Sequence, residues 1–279
     1  PEDCFRANES DIAYLRTLFA GDVACVQDEE SFVAALPDAT HVITWHFKKE
    51  WYHLAPKLRV LATPAAGREL VAWRDAPMDV KVHFGAFHGA IISETVAAFC
   101  LGWARGFFRK PPACGIWPRD WLGDKCFMVE GTKAVIAGYG RIGRAIGAKL
   151  SSLGINVQGF SRSNIDGLEP AMREADWFIL ALPSDTGTDD FLDERRIALL
   201  PSRCAVVNIG RGNAIDEDAL YAALDEGRIA AAYLDVFKHE GLAIWGNAPF
   251  KNDTKPESQL TRNAERGTLI PMPHASAFS

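Results

Sequence analysis

The chain has 279 residues, 48% of them apolar, which is long for one hydrophobic core and comfortable for two domains. A formal net charge of −6, with no run of Lys or Arg, argues against nucleic acid or an anionic membrane surface as a partner. The six cysteines (Cys4, Cys25, Cys100, Cys114, Cys126, Cys204) are scattered, with no C-x-x-C pair and no histidine at metal-ligand spacing, so neither a disulfide framework nor a metal site is expected and the thiols read as those of a reducing, cytoplasmic setting.

The first residues, PEDCFRANESD, are polar and acidic where a signal peptide would be basic and then apolar, and no apolar run approaches the ~20 residues that span a bilayer. A soluble, unprocessed chain is expected. Apolar runs then alternate with helical periodicity, the pattern of buried parallel strands joined by helices. Ile12, Leu15 and Phe19 share a helical face; VACV (23–26) reads as a strand and SFVAAL (31–36) as a short helix. HVITW (41–45) is a second strand, KEWYHL a helical turn, LRVLAT (58–63) a third strand and KVHFG (81–85) a fourth. Ile91 to Phe108 predicts a long helix leading from one domain to the other. KPPACGIWPRDW cannot be regular, because paired prolines remove donors and fix φ. The alternation restarts with TKAVIAG, a helix to Leu153, INVQGF, a helix over 169–175, WFILAL, a helix over 193–200, CAVVNI, a helix over 216–226 and IAAAYLDVF. The polar stretch from Pro249 to Arg266 reads as a surface loop. Domain boundaries fall at 1–92 and 93–274, with 275–279 returning to the first domain.

The restart contains VIAGYGRIGRAIG, in which Gly138, Gly140 and Gly143 form G-x-G-x-x-G after a predicted strand and at the opening of a helix. The first glycine permits the tight turn, the second lets backbone approach a pyrophosphate, the third lets helix and strand pack closely, and the helix N-terminus offers N–H donors to the anion. An amphipathic helix (Ile142, Ile146, Leu150) and a second strand (Asn156 to Phe160) complete the dinucleotide-binding context. Gly138, Tyr139, Gly140, Arg141, Ile142 and Gly143 are therefore expected at the cofactor. An acidic residue at the end of the second strand would take the ribose hydroxyls of NAD; here stand Ser161, Arg162 and Ser163. A guanidinium suits a 2′-phosphate where a carboxylate would repel it, so NADP(H) is expected, with NAD(H) open if Arg162 is solvated or stacks on adenine.

Two further pieces, NIGRGNAIDEDAL (208–220) and LDVFKHE (234–240), precede MPHASAF (272–278). With them the chain resembles the D-isomer-specific 2-hydroxyacid dehydrogenases, from about Leu58 onward and as an ordered set of motifs. The resemblance implies that Arg211, Glu240 and His274 form the catalytic group. Reducing a 2-oxo acid requires an acid to protonate the carbonyl oxygen as hydride reaches carbon, which imidazole does near neutral pH. A carboxylate on the far ring nitrogen favours the imidazolium, the part given to Glu240, and a planar guanidinium holds the substrate carboxylate, the part given to Arg211. By the same resemblance Ala66 and Gly67, in PAAG, take the substrate carboxylate through backbone N–H groups. Leu182, Pro183 and Thr188, with Ile209 and Gly210, border the cofactor, Asp235 receives the nicotinamide carboxamide, and His274 lies beside the ring. His88 and Glu94 fall where the interdomain helix begins, with His88 a pocket-wall or structural residue. Trp45 is expected in core packing ahead of a pocket wall.

The fold implied is α/β with two domains: a Rossmann doubly wound parallel sheet, and a smaller flavodoxin-like β/α substrate domain, with the active site in the cleft between them. The function implied is NADPH-dependent reduction of a small 2-oxo acid, such as glyoxylate or hydroxypyruvate, to the D-2-hydroxy acid by a homodimer. The alternative is a non-catalytic, corepressor-like dinucleotide sensor on the same fold, against which the Arg, Glu and His argue. The chain departs from the family pattern in opening on a helix instead of a strand, in ending five residues after His274, and in the long polar stretch between Glu240 and His274.

Overall fold

The structure, a computed structural model, describes residues 9–19, 21–85, 87–109, 126–238 and 259–272. It divides into two compact units, Pro1–Ala86 and Phe87–Ser279. Among the described residues no helix is long and apolar enough to cross a membrane.

In the first unit, helices α1 (Glu9–Leu18) and α2 (Glu29–Ala35) precede strands β1 (His41–Ile43), β2 (Val60–Thr63) and β3 (Lys81–Phe84). The strands form a parallel sheet in that order. Asp28 caps α2, its carboxylate accepting from the Ser31 N–H at 2.8 Å, which satisfies one of the donors a helix start leaves open. Phe47, Leu58 and Leu61 are almost wholly buried and centre this unit's core. Two expectations fail here. VACV (23–26) forms no strand: among the described residues it pairs with no neighbour, and its residues are exposed or half-exposed, so the apolar run lacks the ladder a strand requires. Trp45 is only half-buried and stands outside the core cluster, beyond the end of β1.

The second unit opens with α3 (His88–Ala104). β4 (Lys133–Ala137), α4 (Arg141–Ser151), β5 (Asn156–Phe160), α5 (Leu168–Met172), β6 (Trp177–Leu180), α6 (Glu194–Ile197), β7 (Ala205–Asn208), α7 (Glu217–Asp225) and β8 (Ala231–Leu234) follow. With β9 (Leu269–Pro271), all strands are parallel in the order β5-β4-β6-β7-β8-β9, so the winding reverses between β4 and β6. Every residue of β6, β7 and β8 is buried, as a sheet covered on both faces demands. Alternate side chains divide between two cores. Val135, Phe178 and Val206 pack with Leu220 and Leu224 of α7; Ile136, Ile179 and Val207 pack with Phe99 of α3 and Ile146 of α4.

The reading of a surface loop to Arg266 is corrected at its end. Gln259–Arg266 is a helix, α8, and Leu269–Pro271 is a sixth strand, β9, beside β8. Helix α8 is held by polar ties instead of an apolar stripe: Arg262 and Arg266 each lie 2.7 Å from the Asp225 carboxylate, and the fully buried Asn263 donates to the Tyr221 carbonyl at 3.1 Å. The proline-rich segment from Lys110 to Trp121, and the rest of the polar stretch up to Ser258, lie outside the described residues.

Candidate active site

The carboxyl ends of β4 to β8 gather the described residues expected at the cofactor. In doubly wound sheets ligands bind at this edge, at the point where the winding reverses. The glycine turn follows β4 directly. Gly138 has φ +96°, a left-handed conformation that side chains resist, and a Cβ there would overlap the Ala181 carbonyl. The N–H groups of Gly138 and Tyr139 both donate to the Phe160 carbonyl, at 2.9 and 2.8 Å, fastening the turn to β5. A Cβ at Gly143 would run into the Gly138 carbonyl. Gly140 differs from both: its backbone is extended, it is the N-cap of α4, and a Cβ built on it would meet nothing within 4 Å. No side chain caps α4, and the first N–H groups of a helix have no intrahelical acceptor. Packing therefore accounts for the first and third glycines and leaves the second facing open space beside uncapped donors, an arrangement that fits a pyrophosphate. The Tyr139 ring lies over Gly147 of α4 and Gly159 of β5, a seat neither glycine could provide with a side chain.

At the end of β5, the Ser161 N–H donates to Asn164 Oδ1 at 2.7 Å, and the Ser161 and Ser163 hydroxyls are 2.9 Å apart. Arg162 is 88% exposed and reaches Asp185 at 2.5 Å. Asp185 sits in the loop after β6, and that loop is well braced. The Gly187 N–H donates to Asp185 Oδ1 at 2.9 Å, while the buried Thr188 hydroxyl donates to the Pro183 carbonyl at 2.8 Å and accepts from the Asp185 N–H at 3.0 Å. The carboxylate is thus anchored by its own turn and the guanidinium is the freer partner. Asp185 had no role in the sequence reading; its partner is 23 positions away.

Beyond β7, the buried Asn208 organises the NIGRG turn. Its side chain donates to the Arg211 carbonyl at 3.0 Å and accepts from the Gly210 N–H at 3.1 Å, and its own carbonyl accepts from the Asp235 N–H at 3.0 Å. A Cβ at Gly210 would lie 2.6 Å from the Leu182 carbonyl oxygen, and one at Gly212 would overlap the Phe237 backbone. Leu182, Ile209, Gly210, Arg211 and Asp235 are in this way drawn to neighbouring strand ends. Arg211 is half-buried, with Nη1 donating to the Gly210 carbonyl at 2.7 Å. Lys238 closes the described stretch: its ammonium pairs with Asp190 at 2.7 Å, which raises its pKa, and its N–H donates to Glu217 Oε1 at 2.6 Å. Glu240 and His274 lie outside the described residues.

In the first unit Ala66 and Gly67 follow β2 and are half-exposed. The Ala65 N–H donates to Thr63 Oγ1 at 3.2 Å, and the Gly85 N–H to the Ala65 carbonyl at 3.0 Å, which ties this loop to the end of β3. His88 is the first residue of α3 and is buried, its ring 4.0 Å from that of Phe87. Glu94 pairs with Lys149 of α4 at 3.4 Å, a tie between two helices of the same unit.

The family profile described as D-isomer specific 2-hydroxyacid dehydrogenase, NAD binding domain, matches residues 114–276. Among sequence relatives, a glyoxylate reductase of Thermococcus kodakarensis is 28% identical over 77% of this chain and 68% of its own length. A glyoxylate/hydroxypyruvate reductase B of Klebsiella pneumoniae is 32% identical over 67% of this chain and 64% of its own. The chain thus spans about two thirds of the length of these relatives. Among solved structures, a D-lactate dehydrogenase with NAD+ from Lactobacillus jensenii superimposes with a TM-score of 0.76 at 18% identity, covering 99% of this chain and 89% of that one, a likeness of fold.

Proposed function

Because the chain belongs to the D-isomer-specific 2-hydroxyacid dehydrogenase family, an oxidoreductase family with a nicotinamide dinucleotide site, we propose that it reduces a small 2-oxo acid of the glyoxylate or hydroxypyruvate kind to the D-2-hydroxy acid with NADPH. The observation that carries the reading is the open position at Gly140, set at the reversal point of the sheet beside the uncapped start of α4. The choice of NADPH over NADH rests on Arg162, with Ser161 and Ser163, standing where NAD enzymes place a carboxylate.

A bound reduced nicotinamide supplies the hydride. The chain's own part is to hold the acid and to supply a proton. Arg211, fixed through Asn208 and Gly210, binds the substrate carboxylate and polarises the adjoining carbonyl; the N–H groups of Ala66 and Gly67 donate to the same carboxylate. His274 donates the proton to the carbonyl oxygen, and Glu240 keeps its imidazole protonated and oriented. These assignments of Glu240 and His274 rest on the sequence motifs. A cytoplasmic homodimer completes the reading; the buried free thiols of Cys100 and Cys204 suit a reducing compartment.

Loss of NADPH absorbance with glyoxylate or hydroxypyruvate, run beside NADH, tests the proposal. Turnover that favours NADPH is expected. Tight cofactor binding with no turnover on any 2-oxo acid would overturn it in favour of a dinucleotide sensor.

A further inference from the structure

Arg68 follows Ala66 and Gly67 directly and is exposed. Its guanidinium carbon lies 5.1 Å from the ring centre of Trp73 and 5.1 Å from that of Phe84. Both rings belong to the framework of this loop: Phe84 ends β3 in register with Thr63 of β2, and Trp73 opens the 3₁₀ turn Trp73–Asp75. A second guanidinium, that of Arg74, lies 5.1 Å from the same Trp73 ring. The two cations are therefore no further apart than twice that distance.

Neither is ion-paired among the described residues. Arg59 in the same unit is paired with Asp79 at 3.0 Å, whereas Arg68 and Arg74 have no carboxylate or hydrogen-bond acceptor among the described residues. Asp75, next in sequence to Arg74, forms no ion pair with it; burial first, and the Asp75 charge second, push the Tyr52 phenol up to about 12. Two like charges near one another repel, and here the aromatic rings hold them in place. A guanidinium resting on a ring through its face keeps its N–H edge available in its own plane. That edge matches the two oxygens of a carboxylate or a phosphate.

We propose that Arg68, with Arg74 beside it, is an anion subsite adjoining the Ala66–Gly67 loop, and that the preferred substrate is a 2-oxo acid whose side chain ends in a second anionic group. The inference rests on the reading of Ala66 and Gly67 as the segment that takes the 2-oxo carboxylate, and it narrows the substrate class from any small 2-oxo acid to a dianionic one. Arg68 is a specificity-determining residue here: it touches the far end of the substrate and takes no part in proton transfer.

The test is kcat/KM of the full chain with NADPH for oxaloacetate and phosphohydroxypyruvate, against 2-oxobutyrate, hydroxypyruvate and glyoxylate, in the wild type and in Arg68→Gln, Arg68→Lys and Arg74→Gln. The wild type should favour the dianionic acids, and the higher of the two identifies carboxylate or phosphate as the group read. Loss of a charged hydrogen bond is worth about 10–100-fold, so Arg68→Gln should lower the ratio of dianionic to monoanionic kcat/KM by that factor, mainly through KM, and Arg68→Lys should restore part of it. A wild type indifferent to the second charge, or an unchanged ratio in Arg68→Gln, overturns the subsite. If Arg68→Gln fails to fold, the same ratio in Arg68→Lys and Arg74→Gln decides, and no change in either counts against it. Absence of turnover on every acid, glyoxylate included, would instead bring down the reductase reading beneath it.

Discussion

The three glycines of the turn make separable demands, and alanine at each tests them one at a time. At Gly138 the left-handed φ of +96° costs an alanine about 1–2 kcal/mol, and the methyl would stand 2.7 Å from the Ala181 carbonyl carbon, an overpacking worth roughly 1–3 kcal/mol. Gly138→Ala should therefore lose about 2–5 kcal/mol. At Gly143 only the overlap with the Gly138 carbonyl applies, so about 1–3 kcal/mol. One kcal/mol lowers Tm by roughly 2–4 °C in a unit of about 150–250 residues, so both variants should melt measurably earlier. Gly140 has no neighbour for a methyl within 4 Å. There an alanine is a poorer N-cap by about 0.5–1 kcal/mol, offset by about 0.4–1 kcal/mol through the stiffer unfolded chain. Gly140→Ala should melt within about 2 °C of the wild type, yet weaken NADPH by about 10–100-fold, because its methyl blocks charged hydrogen bonds to the start of α4. Thermal unfolding and a fluorescence titration with NADPH measure the two quantities on one preparation. Wild-type affinity in Gly140→Ala, or a melting loss equal to that of Gly138→Ala, would refute the division of labour and with it the cofactor site.

Arg162→Ala should reduce the preference for NADPH over NADH by about tenfold, the worth of a charged hydrogen bond to phosphate; an unaltered ratio of the two Kd values rejects NADPH. Asp185→Asn should move that ratio the other way by about 1.5–5-fold, since an exposed ion pair is worth only about 0.2–1 kcal/mol and Arg162 no longer has to leave a carboxylate to reach the cofactor. Replacing His274 by alanine should lower kcat by about 10²–10⁴-fold with NADPH affinity retained, and undiminished turnover removes His274 from the mechanism. Arg211→Lys should raise KM for the 2-oxo acid, because an ammonium lacks the fork that grips a carboxylate; steady-state kinetics with an unchanged KM counts against the assignment.

Strands β4 to β8 of the second unit were legible because WFIL, AVVN and AAYL are buried on both faces, so burial leaves an unbroken apolar run in the sequence; the short β9 was not. VACV carries the same mark without the structure, since a ladder needs a neighbour and nothing in four residues says whether one exists. Helix α8 failed in the opposite sense. It is held by Arg262, Arg266 and Asn263 reaching back to α7, contacts with no local periodicity to betray them.

The same physics divides the candidate site. A dinucleotide turn is performed by consecutive backbone atoms, so its requirements fall on Gly138, Gly140 and Gly143 within six positions and can be read there. The groups that choose between ligands act as side chains brought from elsewhere. Asp185 acts through Arg162, 23 positions away. Arg68 looks like any surface arginine until Trp73 and Phe84 are folded against it. On the proposed reading, the choice of cofactor and acid depends on side chains that meet only once the chain is folded, while the cofactor turn itself is made by consecutive residues. Substitution at Gly140 should weaken binding of either dinucleotide, whereas substitutions at Arg162, Asp185 and Arg68 should shift the preference between one ligand and another.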